Sequence, residues 1–150
     1  MGRETKDILY IGREHFERVR SLVDGLSIKN ITNYEAAEAL LKHYSTTYQS
    51  MLRETGTPRT QVEETILPKL VLSEANIPKT ENSSQMIGIG PAIILGVKEN
   101  YPTVQAYVIV PDVKYNSDET DLRKVCDENR IEVIKASELE SRVKEIVAHL

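Results

Sequence analysis

The pattern of apolar and polar positions changes period several times along the chain. Residues 7–11, "DILYI", have the length and the β-branched and aromatic content of one strand. Directly afterwards Phe16, Val19, Leu22, Val23 and Leu26 recur at helical spacing, which predicts a helix over about 13–26. The joint "SIKNIT" ends on Thr32 and Asn33, both able to accept from the free N–H groups of a second helix over about 33–52. Ala37, Leu40, Leu41, Tyr44 and Tyr48 make that helix's apolar stripe. A seam follows at 53–60, "RETGTPRT", where Gly56 and Pro58 end the helical pattern.

Beyond the seam, residues 61–75 read as a helix that Pro68 kinks or interrupts. The stretch "QMIGIGPAIILGVKE" reads as two short strands with Gly90-Pro91 as their turn. "VQAYVIV", 104–110, is apolar almost throughout, as a strand covered on both faces should be. A helix over about 118–129 and the strand "IEVIK" come next. Ser137 and Glu140 are spaced as a capping box for a last helix carrying Leu139, Val143, Ile146, Val147 and Leu150 on one side. Strand, helix, strand, helix in short order predicts an α/β unit with a parallel pair.

Composition narrows the setting. A chain of 150 residues can bury a core without disulfides, and its single Cys126 sits at helical spacing with Leu122 and Val125, as a reduced, inert thiol would. That usage fits a cytoplasmic protein. No apolar run approaches the length of a membrane span, and the charged start is not followed by a signal-peptide core, so no membrane role is expected. The net charge of -4 is uneven: residues 1–60 hold 9 Lys/Arg against 8 Asp/Glu, whereas 61–150 hold 10 against 15. Any attraction for phosphate therefore belongs to the front of the chain.

The strand "ILYI", the helix "REHFERVRSLV" and the stretch "ITNYEAAEALLKHY" together resemble the ribbon-helix-helix family of DNA-binding repressors over residues 7–44. The resemblance implies a homodimer whose two strands pair antiparallel and enter the major groove of double-stranded DNA. With Leu9 and Ile11 inward, strand alternation turns Lys6, Ile8 and Tyr10 outward as base-reading side chains. Thr32 and Asn33 match the place where the family clamps a phosphate on the second helix, and Arg13 adds charge there. In the competing reading, 7–11 is an edge strand of one larger sheet, the helices cover it, and Ile8 and Tyr10 are buried.

The order of elements after the seam is similar to the restriction-endonuclease-like, or PD-(D/E)XK, nucleases, with Lys98 in the place of their lysine. Its triplet reads Gly96-Val97-Lys98, however, and no Asp occurs between residues 65 and 111. Glu63 and Glu64 offer a first-helix acid at most, so the resemblance implies an inactive relative with no bound metal. Asp112, Lys114 and Ser117 lie where the carboxyl end of a parallel strand meets a helix, a place for a small anionic ligand. "GIGP", 88–91, reads as a tight turn, and His15, His43 and His149 lack metal-ligand spacing.

The expectation is thus an α+β protein with a ribbon-helix-helix module at 1–56 followed by a small α/β domain at 57–150. It would act as a homodimeric, sequence-specific DNA binder in transcription regulation, without a cofactor. The alternatives are a nuclease-like α/β protein, either a metal-dependent nuclease or an inactive relative, and a single-domain structural or interaction protein.

Overall fold

The computed structural model describes residues 7–23, 25–55, 58, 61–62, 66–110 and 126–150. In chain order the elements are β1 (Ile8–Ile11), α1 (Phe16–Arg20), β2 (Ile28–Ile31), α2 (Tyr34–Thr55), β3 (Leu70–Glu74), β4 (Ile77–Pro78), β5 (Met86–Ile87), α3 (Gly90–Asn100), β6 (Gln105–Val110), β7 (Val133–Lys135) and α4 (Leu139–Ala148). Five of the strands form one sheet in the order β2-β1-β3-β6-β7, with every neighbouring pair parallel. The small strands β4 and β5 pair antiparallel within the connection from β3 to α3.

Apolar runs at β1 and β3 explain why these strands lie inside the sheet. Every residue of both is buried, as befits parallel strands covered by helices on each face. Successive side chains go to opposite layers. Leu9, Ile11, Val71 and Val108 join the layer of α2 and α3, while Ile8, Tyr10, Leu70, Leu72, Ile109 and Ile134 join the layer of α1 and α4. Counted over the main sheet alone, the strand order is 2-1-3-4-5, that of the flavodoxin-like doubly wound α/β folds.

This sheet overturns the ribbon-helix-helix reading of residues 7–44 and the α+β architecture built on it. A ribbon needs a free strand edge to pair with a second subunit, and β1 has none: Ile8–Ile11 pairs with Ile28–Ile31 on one side and with Leu70–Ser73 on the other. One sheet takes strands from both sides of residues 53–60, so the chain folds as a single α/β domain. The start of β1 is fastened internally as well. Ser27 N–H donates to Asp7 Oδ2 at 3.1 Å, and Lys69 N–H donates to the Asp7 carbonyl at 2.8 Å.

Three further readings are corrected. The joint before α2 contains β2, a partly exposed edge strand. Residues 70–74, expected within a helix, are β3. Gly90-Pro91 is the first turn of α3 rather than a hairpin turn, and proline suits that position because its missing N–H has no partner to lose. The last change removes the nuclease scaffold, since Gly96-Val97-Lys98 lies on a helix and not on a strand. Lys98 Nζ donates to the Arg130 carbonyl at 3.2 Å. Glu63 and Glu64 lie outside the described residues.

Other readings hold. Strands β6 and β7, helix α2 and helix α4 stand where the pattern puts them, and Cys126 is buried, with burial raising its thiol pKa. The capping-box reading is corrected at the N-cap: helix α4 is entered through a 3-10 turn, Ala136–Glu138, which puts Glu138 rather than Ser137 at its N-cap, without a side-chain cap bond. Among the described residues no helix is long and apolar enough to cross a membrane.

Candidate ligand crevice at the sheet switch point

In doubly wound sheets the chain runs from the first strand to one side and later returns to the other. The loops leaving the two strands at that reversal diverge and leave a crevice at their carboxyl ends, the usual ligand position. Here the reversal lies between β1 and β3. The crevice is bounded by the loop Gly12–His15 and by Glu74, the last residue of β3.

Glu74 occupies it. Its side chain shares a face with Leu72 and Leu70, two and four residues earlier, and so points toward the β1–α1 loop. The Tyr10 hydroxyl donates to Glu74 Oε2 at 2.5 Å, His15 N–H donates to the same oxygen at 3.0 Å, and Glu14 N–H donates to Oε1 at 3.2 Å. Glu74 is only 4% exposed. Three donors facing one carboxyl group make the surroundings of an ionised carboxylate, which accepts hydrogen bonds and gives none. Burial first, and then the charge of Glu74, raise the Tyr10 pKa far above that of an ordinary phenol, so Tyr10 keeps its proton and stays a donor.

Gly12 is fitted to this carboxylate. In register it follows Ile11, which pairs with Ser73, so it stands beside Glu74. A Cβ there would lie 2.3 Å from Glu74 Cδ, and the backbone φ of +138° is one that side chains with a Cβ rarely adopt. The loop start is braced from β2, where Asn30 Nδ2 donates to the carbonyls of Tyr10 and Gly12 at 3.2 and 2.9 Å. On the other side α3 presses in: a Cβ on Gly90 would lie 2.2 Å from the Glu74 carbonyl oxygen, and Gly90 N–H donates to the Ala75 carbonyl at 3.1 Å.

The loop then passes into a second polar cluster. Arg18 grips both oxygens of Glu140 through Nε and Nη2, each at 2.8 Å, and Nη2 also donates to the Ala136 carbonyl at 3.0 Å. Its Nη1 lies 3.0 Å from His15 Nδ1. Because a guanidinium only donates, Nδ1 is the accepting atom in this contact. Hydrogen bonding from Arg18 holds the Glu140 carboxyl below the usual glutamate range.

The proposed DNA-reading residues are dispersed by the fold. Ile8 and Tyr10 are fully buried, on the α1/α4 side of the sheet, and neither can touch a base. Arg13 is exposed on the crevice loop and its Nη2 donates to the Glu81 carbonyl. Asn33 caps α2, its Oδ1 accepting from Ala36 N–H at 2.9 Å, while Glu35 N–H donates to the Lys79 carbonyl. The N–H groups meant for a phosphate are thus engaged within the chain. Thr32 Oγ1 accepts from Asn33 Nδ2 at 3.4 Å. Arg13, Thr32 and Asn33 do share the carboxyl edge of the sheet, following β1 and β2. Lys6 lies outside the described residues, as do Asp112, Lys114 and Ser117, which follow β6.

Sequence reasoning missed Glu74 and Gly12. The available signal was a lone acid closing the apolar run "LVLSEA". Elsewhere, Tyr34, Leu41, Ile89 and Ile93 line a groove of about 200 Å³ between α2 and α3. Among the described residues no cluster of three or more His, Cys, Asp or Glu side chains could hold a metal ion.

No protein-family model matches the chain, and no curated protein matches it significantly. Among solved structures, the crystal structure of the phosphorylated cyanobacterial phytochrome response regulator RcpA is similar at a TM-score of 0.46 and 12% identity, over 97% of this chain and 91% of that one. The fold assignment stands on strand order and register without that likeness: this chain has a single doubly wound α/β domain with Glu74 buried at its switch point and bonded to Tyr10 and the β1–α1 loop.

Proposed function

We propose that this protein is a non-catalytic α/β module that works by binding a protein partner, with its ligand crevice closed from within. The observation that carries the reading is the Glu74 carboxylate, buried at the β1/β3 switch point and bonded to Tyr10, Glu14 and His15. A flavin, a nucleotide or a phosphate group entering there would have to displace a buried anion and compete for N–H donors already in use. Leaving a buried donor unmade costs about 1–3 kcal/mol, so exchange would need comparable new bonds. The surface of the domain is then what remains for recognition. A second copy of the chain is one candidate partner, and a small anion near Asp112–Ser117 is a separate proposal.

The test is an amide NMR titration of the whole protein with flavin mononucleotide, adenosine triphosphate and inorganic phosphate, with and without Mg²⁺. The expected result is that the Glu14 and His15 signals do not move. Saturable shifts at those two amides would show an open ligand site and overturn the reading. Self-association is read in parallel by light scattering over a concentration series.

A further inference from the structure

We propose that Tyr10 and the loop Gly12–His15 form a carboxylate-binding site whose resident ligand is the Glu74 side chain, and that the site takes a free small carboxylate once that side chain is cut back. The inference shares the self-filled crevice with the proposed function but does not depend on a protein partner.

Three features describe a built site. The donors are divided between the two oxygens: the Tyr10 hydroxyl and His15 N–H on Oε2, Glu14 N–H on Oε1. No ion pair to Glu74 occurs among the described residues, and the three donors that hold it there, a phenol hydroxyl and two backbone N–H groups, are neutral. The wall is shaped to the group, since Gly12 has no Cβ where one would strike Glu74 Cδ, Cγ and Oε2. The ligand is tethered to β3 while most of its donors sit in the β1–α1 loop, 59 to 64 residues away in sequence. Such a site behaves toward its side chain as a receptor behaves toward a ligand at high effective concentration.

Size completes the argument. Replacing glutamate by alanine deletes Cγ, Cδ and the two carboxylate oxygens, and these are the heavy atoms of acetate. Acetate can therefore refill the vacated volume with the same two oxygens facing the same donors. Chloride offers no second oxygen, and inorganic phosphate is tetrahedral and bulkier than the planar group the site encloses.

The experiment measures thermal unfolding of wild type, Glu74→Ala, Glu74→Gln and Glu74→Ala/Tyr10→Phe across sodium acetate at constant ionic strength, with sodium chloride as balance, at neutral pH. Glu74→Ala should gain Tm saturably with acetate, beyond any gain in wild type. Glu74→Gln should show the wild-type response because its side chain still fills the site. The double variant should need several-fold more acetate, having lost the hydroxyl donor. If Glu74→Ala is unfolded in chloride, the same titration is followed by circular dichroism as acetate-dependent refolding. No rescue, equal rescue of Glu74→Gln, or equal rescue by chloride would each overturn the proposal. Such a failure, with Glu14 and His15 still silent to flavin and phosphate, would leave the closed-crevice reading intact.

Discussion

The two faces of the sheet are held by different means. On the α2/α3 side the helices are long, 22 and 11 residues, and they close an apolar layer that includes Tyr48 against Tyr101, with ring centroids 5.7 Å apart. On the α1/α4 side the helices have 5 and 10 residues, and within α1 only Val19 is buried. A five-residue helix is too short to form on its own propensity and buries too little to be held by area alone. It is instead pinned at its start through Glu74 to Glu14 and His15, and along its length through Arg18 to Glu140 and Ala136. One face is held mainly by burial of surface, which is non-directional; the other adds directional bonds, which fix a loop in one conformation.

The sharpest way to break this contrast is Gly12→Val. The new Cβ meets Glu74 Cδ and Cγ, and the carboxylate can yield only by leaving its three donors. Backbone strain at the positive φ of Gly12 adds to the loss, for a combined destabilisation on the order of 4 kcal/mol. Chemical denaturation should show it, with loss of amide protection concentrated at residues 12–20. On the other face, Ile94→Ala removes a fully buried side chain from α3 and should cost about 3 kcal/mol through lost burial and a cavity. Its amide protection should fall across the whole sheet rather than in one loop. Similar local losses from both variants would erase the distinction.

A finer probe separates bonds from bulk within the polar face. Glu74→Gln keeps the volume but turns an amide donor toward Tyr10 or the loop N–H groups, at a cost of about 2 kcal/mol. Tyr10→Phe removes one donor and leaves the ring packed 5.8 Å from Phe16, at a cost of about 1 kcal/mol. In a double-mutant cycle Tyr10→Phe and Glu74→Ala should be non-additive, since each removes the same bond. Additive losses would mean that Tyr10 and Glu74 contribute separately.

The sequence made one half of this comparison far more legible than the other. Helix α2 is readable because its stripe from Ala37 to Tyr48 has a single period and Asn33 caps it, and β6 is readable as an unbroken apolar run of strand length. Strand β2 was lost because "IKNI" alternates weakly at a partly exposed sheet edge. Strand β3 and helix α3 were exchanged in kind for a related reason: "LVLSE" and "AIILGVK" are both apolar runs, and a buried segment carries little periodicity to tell helix from strand. The same effect misled the reading of β1. Alternation assigned Ile8 and Tyr10 to solvent on the premise of one covered face, and both faces are covered. The acid closing "LVLSEA" could be seen, but its bond to Tyr10 could not, because the partner is 64 residues away and no local pattern encodes that distance.

The smallest expected effect lies at the outer end of the polar face, in the pair Arg18–Glu140. Both side chains are substantially exposed, at 37% and 48%, so water and salt screen the attraction although the geometry is bidentate. The sign of its pH dependence follows from the Glu140 carboxyl, which Arg18 holds below the ordinary glutamate value in the folded chain. A carboxyl with a lowered folded pKa stabilises at pH values above its unfolded pKa, and that contribution is lost as the pH falls through the folded pKa. Glu140→Gln should therefore lower Tm slightly at neutral pH, and the gap from wild type should close on acidification below the ordinary glutamate range. It should also narrow in high salt. In the Gln variant Arg18 keeps its bond to the Ala136 carbonyl, so α1 should stay docked and the amide protection of Glu14 and His15 should not change. Loss of that protection in Glu140→Gln would mean that the docking of α1 depends on the exposed ion pair, and that Glu74 alone does not hold the loop.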